Sequence, residues 1–411
     1  PFFCYIATNA PHGPLNVEPR YVDLYRDSTP HEDRARFYGM ISNIDDNFGR
    51  LQSHLHELGL SDNTILIFMT DNGTATGVEL DSEQYPQEGP GSYNAGMRGK
   101  KGSPYEGGHR VPFLVRFPNG QVAGGRDMPA LASYVDFMPT LLELCNADVP
   151  NERSFHGQSI APMLRGQDPP ADWSGRINVC DTQRVAHPVK WRKSSVMKKR
   201  WRLINGRELY DLDSDPGQRR DIAAEHPGIV SELRQDYELW WENISDQFDR
   251  DVPIALGGDD EEVKLTTHDL RNETCNGVWN HRQVRAGQVS SGYWAVDIRQ
   301  SGRYEIELRR WPEETGYALT AAIEGDDSNW RRDSIKPEDA PAYEGGVALA
   351  IQWAQLTIGD ANYQAEVDPP AGTSALFTVE LTTGPDQLFA AFHDHSERTI
   401  APYYVYIRRL P

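Results

Sequence analysis

The rhythm of apolar residues changes twice along the chain. Up to about residue 165, short apolar runs alternate with helical periodicity: "PFFCYIA" opens the chain, "TILIFM" follows at 64–69 and "VPFLVRF" at 111–117. Runs this apolar, without polar alternation, predict strands buried on both faces, as in parallel sheets. Between the first two, Phe37, Met40, Ile41, Ile44, Phe48, Leu51, Leu55 and Leu58 recur at three- and four-residue steps. That spacing predicts one long amphipathic helix. Thr29, Pro30 and Glu32 read as its capping box, and Gly59 as its stop. Strand, helix and strand predict a right-handed βαβ unit. Its parallel strands would bring residue 12 and residues 71–72 to one sheet edge. "SYVDFMPTLLELCNA" at 133–147 predicts a further helix.

The second rhythm begins near residue 171. "WRLINGRELYDL" holds two short strands around Asn205-Gly206, a strong hairpin signal. An amphipathic helix follows in "AAEHPGIVSELRQDYELWWENI". After the acidic "LGGDDEEV" the texture becomes short alternating runs such as "YWAVDIRQSGRYEIELRRW" and "SALFTVELTTG", which predict a β-sandwich. The expected class is therefore α/β, with residues 1–170 as a doubly wound part, 171–250 as a small α+β subdomain and 262–411 as a C-terminal β-sandwich. Three strands make a thin doubly wound sheet, so residues 1–170 read as the later part of a larger α/β domain. An N-terminal remainder of that domain is the expected partner.

Composition narrows the function. A net charge of −20 argues against a general nucleic-acid binder, which must neutralise phosphates. No run approaches the apolar length of a membrane span. Cys4, Cys145, Cys180 and Cys275 are scattered without metal-ligand spacing, which predicts free, buried thiols.

The candidate chemistry lies where apolar runs end. "TILIFM" runs into Asp71, Asn72 and Gly73, and ligands of open α/β sheets sit beyond the carboxyl ends of strands. A plain turn would use the same residues. Carboxylate and amide oxygens suit a hard cation, and Asn72 in place of a histidine shifts the metal from zinc to calcium. His12 could donate a proton to a leaving group or hold an anion, although a lone histidine is more often a hydrogen-bonded structural residue. Lys101 sits in the glycine-rich loop 74–110, where an ammonium could meet an oxyanion. Neighbouring Lys100 is its decoy, and a solvated surface lysine is the ordinary alternative. The basic run "RVAHPVKWRKSSVMKKRWR" reads either as a solvated strand edge or as a rim that attracts anions.

Together "NAPHGPL", "TDNG", "GKKGSPYEGGHRVP", "FHGQSIAPMLRG" and "ELYDLDSDPGQ" occur in the order seen in the type I sulfatases of the alkaline phosphatase superfamily, which residues 1 to about 245 resemble. The resemblance implies a calcium-dependent hydrolase of sulfate esters, periplasmic or secreted, acting on a sulfated small molecule or carbohydrate. It implies Asp71 and Asn72 as calcium ligands and Lys101 as a sulfate contact. His12 would bind sulfate or serve the leaving oxygen. The family's nucleophile is a formylglycine made from a Cys/Ser-x-Pro-x-Arg motif, and no such motif occurs here. The family's early Asp-Asp metal pair is also absent, so this chain would be inactive alone. Two rivals stand beside this reading. One is a phosphoester or phosphonate hydrolase of the same superfamily, disfavoured by Asn72. The other is a carbohydrate-binding fragment using Trp279, Trp294, Trp311, Trp330 and Trp353, residues that in a sandwich are more often core.

Overall fold

The long helix forms where the apolar spacing placed it. The computed structural model describes residues 1–29, 31–74, 94–122, 124–148, 154–183, 185, 187–272, 277–325, 345–367, 371–394 and 399–411. They fall into two units, one drawn from residues 1–183 and 190–244, the other from 184–189 and from residue 245 onward.

In the first unit, α1 (Pro19–Asp23) packs on α2 (Glu32–Glu57). Leu15, Val17, Tyr21, Val22, Ala35, Phe37 and Met40 form their shared core. Gly39 permits the approach, since a Cβ there would lie 3.0 Å from the Tyr21 carbonyl carbon. Gly59 ends α2 with φ +69°, a conformation that favours glycine. The N-terminus departs from expectation. His31 is the N-cap and makes no side-chain cap bond. Glu32 instead meets the guanidinium groups of Arg26 at 2.7 Å and Arg36 at 2.9 Å, charge-assisted bonds that outcompete a backbone N–H. Pro30 lies outside the described residues.

The predicted βαβ unit is not formed. Residues 1–9 have no regular structure, and Phe2, Phe3, Tyr5 and Ile6 are exposed. β1 (Leu66–Met69) pairs antiparallel with β2 (Phe113–Arg116), Met69 opposite Phe113 and Leu66 opposite Arg116. The expectation of parallel strands is corrected for a local reason. A parallel connection needs a crossover of about a dozen residues or more, usually a helix. Here the only helix described between them is the four-residue α3 (Glu106–His109), and the loop carrying it folds back onto the turn after β1. The chain re-enters the sheet at the end it left.

A single 3-10 turn, Tyr134–Asp136, leads into α4 (Phe137–Leu144), matching the predicted helix. With α5 (Ala161–Leu164), α4 covers Val115 and Phe117 through Leu144 and Ala161, and Val122 joins the same cluster. Four short strands then form an antiparallel sheet in sequence order: β3 (Asn178–Cys180), β4 (Ser195–Lys198), β5 (Trp201–Ile204) and β6 (Glu208–Asp211). Asn205 and Gly206 have φ +51° and +65°, the tight hairpin the sequence predicts. α6 (Pro227–Ser245) buries Val230, Leu233, Tyr237 and Trp241.

Among the described residues of the second unit, strands are the main regular element, beside the one-turn α7 (His281–Arg285) and a 3-10 turn at Glu313–Thr315. Its strands are β7 (Ile254–Leu256), β8 (Glu262–Thr266), β9 (Trp294–Ile298), β10 (Gly302–Arg309), β11 (Trp353–Ile358), β12 (Ala361–Glu366), β13 (Ala375–Leu381), β14 (Gly384–His393), β15 (Thr399–Ile400) and β16 (Tyr404–Arg409). One sheet runs β13-β10-β16-β8 and the other β12-β11-β14-β9-β7, with β15 on β14. A single apolar cluster takes Leu308, Val379 and Ile407 from the first sheet and Val296, Leu356 and Phe392 from the second. Trp294 and Trp311 are buried in it, whereas Trp353 stacks on His393 with centroids 3.7 Å apart. Trp279 is exposed, and Trp330 lies outside the described residues. The mixture of helices and sheets across both units is an α/β architecture. Cys4, Cys145 and Cys180 are free as expected, but the first two are exposed rather than buried. Cys275 lies outside the described residues.

Candidate active site

Asp71 and Asn72 occupy the bend directly after β1. The Asn72 amide nitrogen donates to an Asp71 carboxylate oxygen, so the two side chains converge on one spot. Their donor set toward a cation is oxygen only, which fits a hard metal. Among the described residues no group of three or more His, Cys, Asp or Glu side chains stands together, so this pair would be a minority of the ligands such an ion takes.

The glycine-rich loop is docked on this bend through its backbone. Gly73 N–H donates to Gly108 O at 3.0 Å, and Lys101 N–H donates to Thr74 O at 2.8 Å. Both bonds run from backbone to backbone. A Cβ on Gly73 would lie 1.8 Å from Gly107 O, and one on Gly107 would lie 2.3 Å from Gly99 O. These glycines are required by close approach. Lys101 is exposed, and among the described residues its ammonium has no acidic partner. The Lys101 backbone is thus tied to Thr74, the second residue after Asn72. His12 is exposed, its Nδ1 lies 2.8 Å from Gly13 O, and no hydrogen bond or ion pair among the described residues joins it to Asp71, Asn72 or Lys101.

The loop is held from its far side by residues the sequence reading did not single out. The Arg98 guanidinium lies 3.9 Å from the Tyr105 ring centroid and donates to Tyr210 Oη at 2.9 Å and Gln218 O at 3.2 Å. Tyr105 donates to Glu208 at 2.9 Å. Glu106 is buried at 2% exposure, its backbone N–H donates to Gln218 Oε1 at 2.7 Å, and its carboxylate accepts from Arg202 Nε at 2.7 Å. Burial raises the Glu106 pKa, but the His109 hydrogen bond and the Arg202 charge outweigh it and bring the value down to about 2. A lone acid within "YEGGH" and a lone arginine inside the apolar β5 were the available signals. A charge in such a place needs a partner.

A pH dependence follows from Glu106. A carboxylate whose pKa is about 2 when folded, against 4.5 ordinarily, stabilises the fold fully above pH 4.5. That contribution, about 3 kcal/mol, is lost as the pH falls toward 2. Urea unfolding between pH 6 and pH 2 should show a shallower decline for Glu106→Gln, from a lower starting stability. An identical slope in both proteins would remove Glu106 from this role.

Part of the basic run is paired with acids. Lys190 pairs with Glu238, Lys198 with Glu232 and Asp236 at 2.8 Å each, Arg200 with Asp211 at 3.4 Å, and Arg202 with Glu106. These cations are committed to acids of α3, α6 and β6, as in a paired strand edge, while Lys193 and Lys199 stay exposed.

Comparison with known proteins gives this geometry its family. The sulfatase family model matches residues 1–147, and the model of the C-terminal part of N-sulphoglucosamine sulphohydrolase matches residues 100–239. An N-acetylgalactosamine-6-O-sulfatase of Bacteroides thetaiotaomicron is 29% identical over 57% of this chain and 46% of its own length. The N-acetylgalactosamine-6-sulfatase of Mus musculus is 33% identical over 41% of this chain and 29% of its own. The crystal structure of Ps i-CgsB aligns with 59% of this chain and 51% of its own at 24% identity, with a TM-score of 0.48. The chain spans less than half the length of the two curated relatives. Across residues 1–239 it belongs to the type I sulfatase family.

Proposed function

We propose that the complete protein hydrolyses sulfate esters to an alcohol and inorganic sulfate, and that its substrate is a sulfated carbohydrate. The observation that carries this reading is the backbone docking of the lysine loop on the Asp71–Asn72 bend. It ties the Lys101 backbone to the segment that follows two oxygen donors, and an ammonium near such a pair would supply the charge pattern a sulfate group and a hard cation together require. The names of the two N-acetylgalactosamine sulfatases support the carbohydrate. Residues 262–411 would be a β-sandwich accessory to the catalytic part.

Asp71 and Asn72 would hold calcium as two of its about six to eight oxygen ligands. When bound, the ion supplies positive charge that draws electron density from sulfate oxygens. The rest of the work described belongs to this chain's own groups. Lys101 neutralises a sulfate oxygen as a point charge on a loop whose backbone cannot shift without breaking its bonds to Thr74 and Gly73. His12 either binds sulfate or gives a proton to the departing alkoxide oxygen. The formylglycine of this family has no source motif in these 411 residues, and we assign it to a part of the protein outside them.

Inorganic sulfate release by the complete protein, from a 6-sulfated N-acetylgalactosamine and from an aryl sulfate, with and without a calcium chelator, tests the reading. Turnover that the chelator removes is expected. Release of phosphate from the matching phosphate esters, with none from the sulfates, would transfer the chain to the phosphoester hydrolases.

A further inference from the structure

The bend that bears Asp71 is held by a residue from a distant part of the sequence. Tyr134 Oη donates to Thr70 O at 2.8 Å and to Asp71 O at 2.9 Å. These carbonyls belong to the two peptide units that set the direction in which the Asp71 side chain leaves the backbone. Half of the Tyr134 ring stays exposed, so the residue is not simply a core aromatic whose hydroxyl found a neighbour.

Its own footing is fixed. Tyr134 opens the 3-10 turn whose capping box joins Ser133 and Asp136 reciprocally. Asp136 is 1% exposed, and its carboxylate accepts from Ser133 N at 2.8 Å, Gln158 N at 3.0 Å and Arg176 at 2.8 Å. A Cβ on Gly157 would lie 2.0 Å from Val135 O, so residues 156–158 press directly on the turn. The phenol oxygen is therefore presented from a rigid base.

We propose that Tyr134 is a positioning residue for the calcium site, its hydroxyl orienting the Asp71 and Asn72 peptides so that both oxygen donors face the ion. The inference rests on the sulfatase reading of Asp71 and Asn72. A metal ligand held by an outer hydrogen bond loses about 10-fold or more in affinity when that bond is removed. The position of Tyr134, on a helix-entry turn remote in sequence, gives no motif by which this role could be read.

Calcium titration of the complete protein, with calcium alone and no substrate, decides it. Tyr134→Phe keeps the ring and removes only the hydroxyl. It should weaken calcium binding about 10-fold while leaving the melting temperature of the calcium-free protein within a degree or two of wild type. At saturating calcium kcat should fall more than KM rises, because the ligands remain misdirected. Tyr134→Gln, which restores a donor at shorter reach, should recover part of the affinity. Wild-type calcium affinity in Tyr134→Phe, with or without a lower melting temperature, would show the hydroxyl to be a strand-end support only and would overturn the proposal. A wild-type protein that neither binds calcium nor releases sulfate would overturn the sulfatase reading and this inference together.

Discussion

Asp71→Ala in the complete protein should abolish calcium occupancy and lower sulfate-ester turnover by about 10³-fold or more. The side chain is exposed, and its recorded partner is the neighbouring Asn72 amide. Its removal creates no cavity and strands no buried charge, so the fold should stay intact. The substitution takes away the only full negative charge on the bend, and an amide oxygen alone holds a hard cation poorly. Metal content after dialysis, circular dichroism and kcat/KM on one preparation separate the outcomes. A folded Asp71→Ala protein that retains calcium and near wild-type turnover would end the metal assignment.

Lys101→Ala should cost about 10²- to 10³-fold in rate, the scale of losing one charged contact to a developing anion, while Lys100→Ala should cost little. The two lysines are adjacent, which makes the pair its own control for loop charge. Lys101 is the one whose backbone N–H is tied to Thr74 O at 2.8 Å, two residues beyond Asn72, and whose ammonium is unpaired among the described residues. The Lys100 backbone N–H is turned toward Ser103 Oγ at 3.1 Å. Sulfate inhibition constants should follow the same order as the rates. Equal losses from both substitutions would mean that the ammonium nearest the substrate is not fixed by this register.

Local patterns were legible in the sequence and non-local directions were not. The spacing of Phe37, Met40 and their successors fixes a helix wherever it packs, and Asn205-Gly206 fixes a hairpin because two successive positive φ angles admit few residues. The relative direction of β1 and β2 has no local signature. It depends on where residues 94–110 return, which is decided by Gly73 meeting Gly108. The apolar run at residues 2–7 illustrates the same limit: its composition suits a strand, yet a strand exists only against a neighbour, and β1 and β2 pair with each other. Asp71, Asn72 and Lys101 could be singled out because each lies at the edge of an apolar or glycine-rich stretch. Tyr134, Arg98 and Glu106 act through partners about 60 to 120 residues away in sequence, and no periodicity points to such a pairing.

The glycine contacts between the lysine loop and the Asp71 bend also bear on how this protein can change. The loop meets the bend through close-packed peptide groups at Gly73, Gly107 and Gly108. Side chains elsewhere on the loop can then be exchanged without parting these peptide groups. A lineage built this way can vary those side chains while the backbone join stays constant. The vulnerability is concentrated in turn, since one added methyl group at Gly73 would collide with the Gly107 carbonyl and separate the loop from the bend.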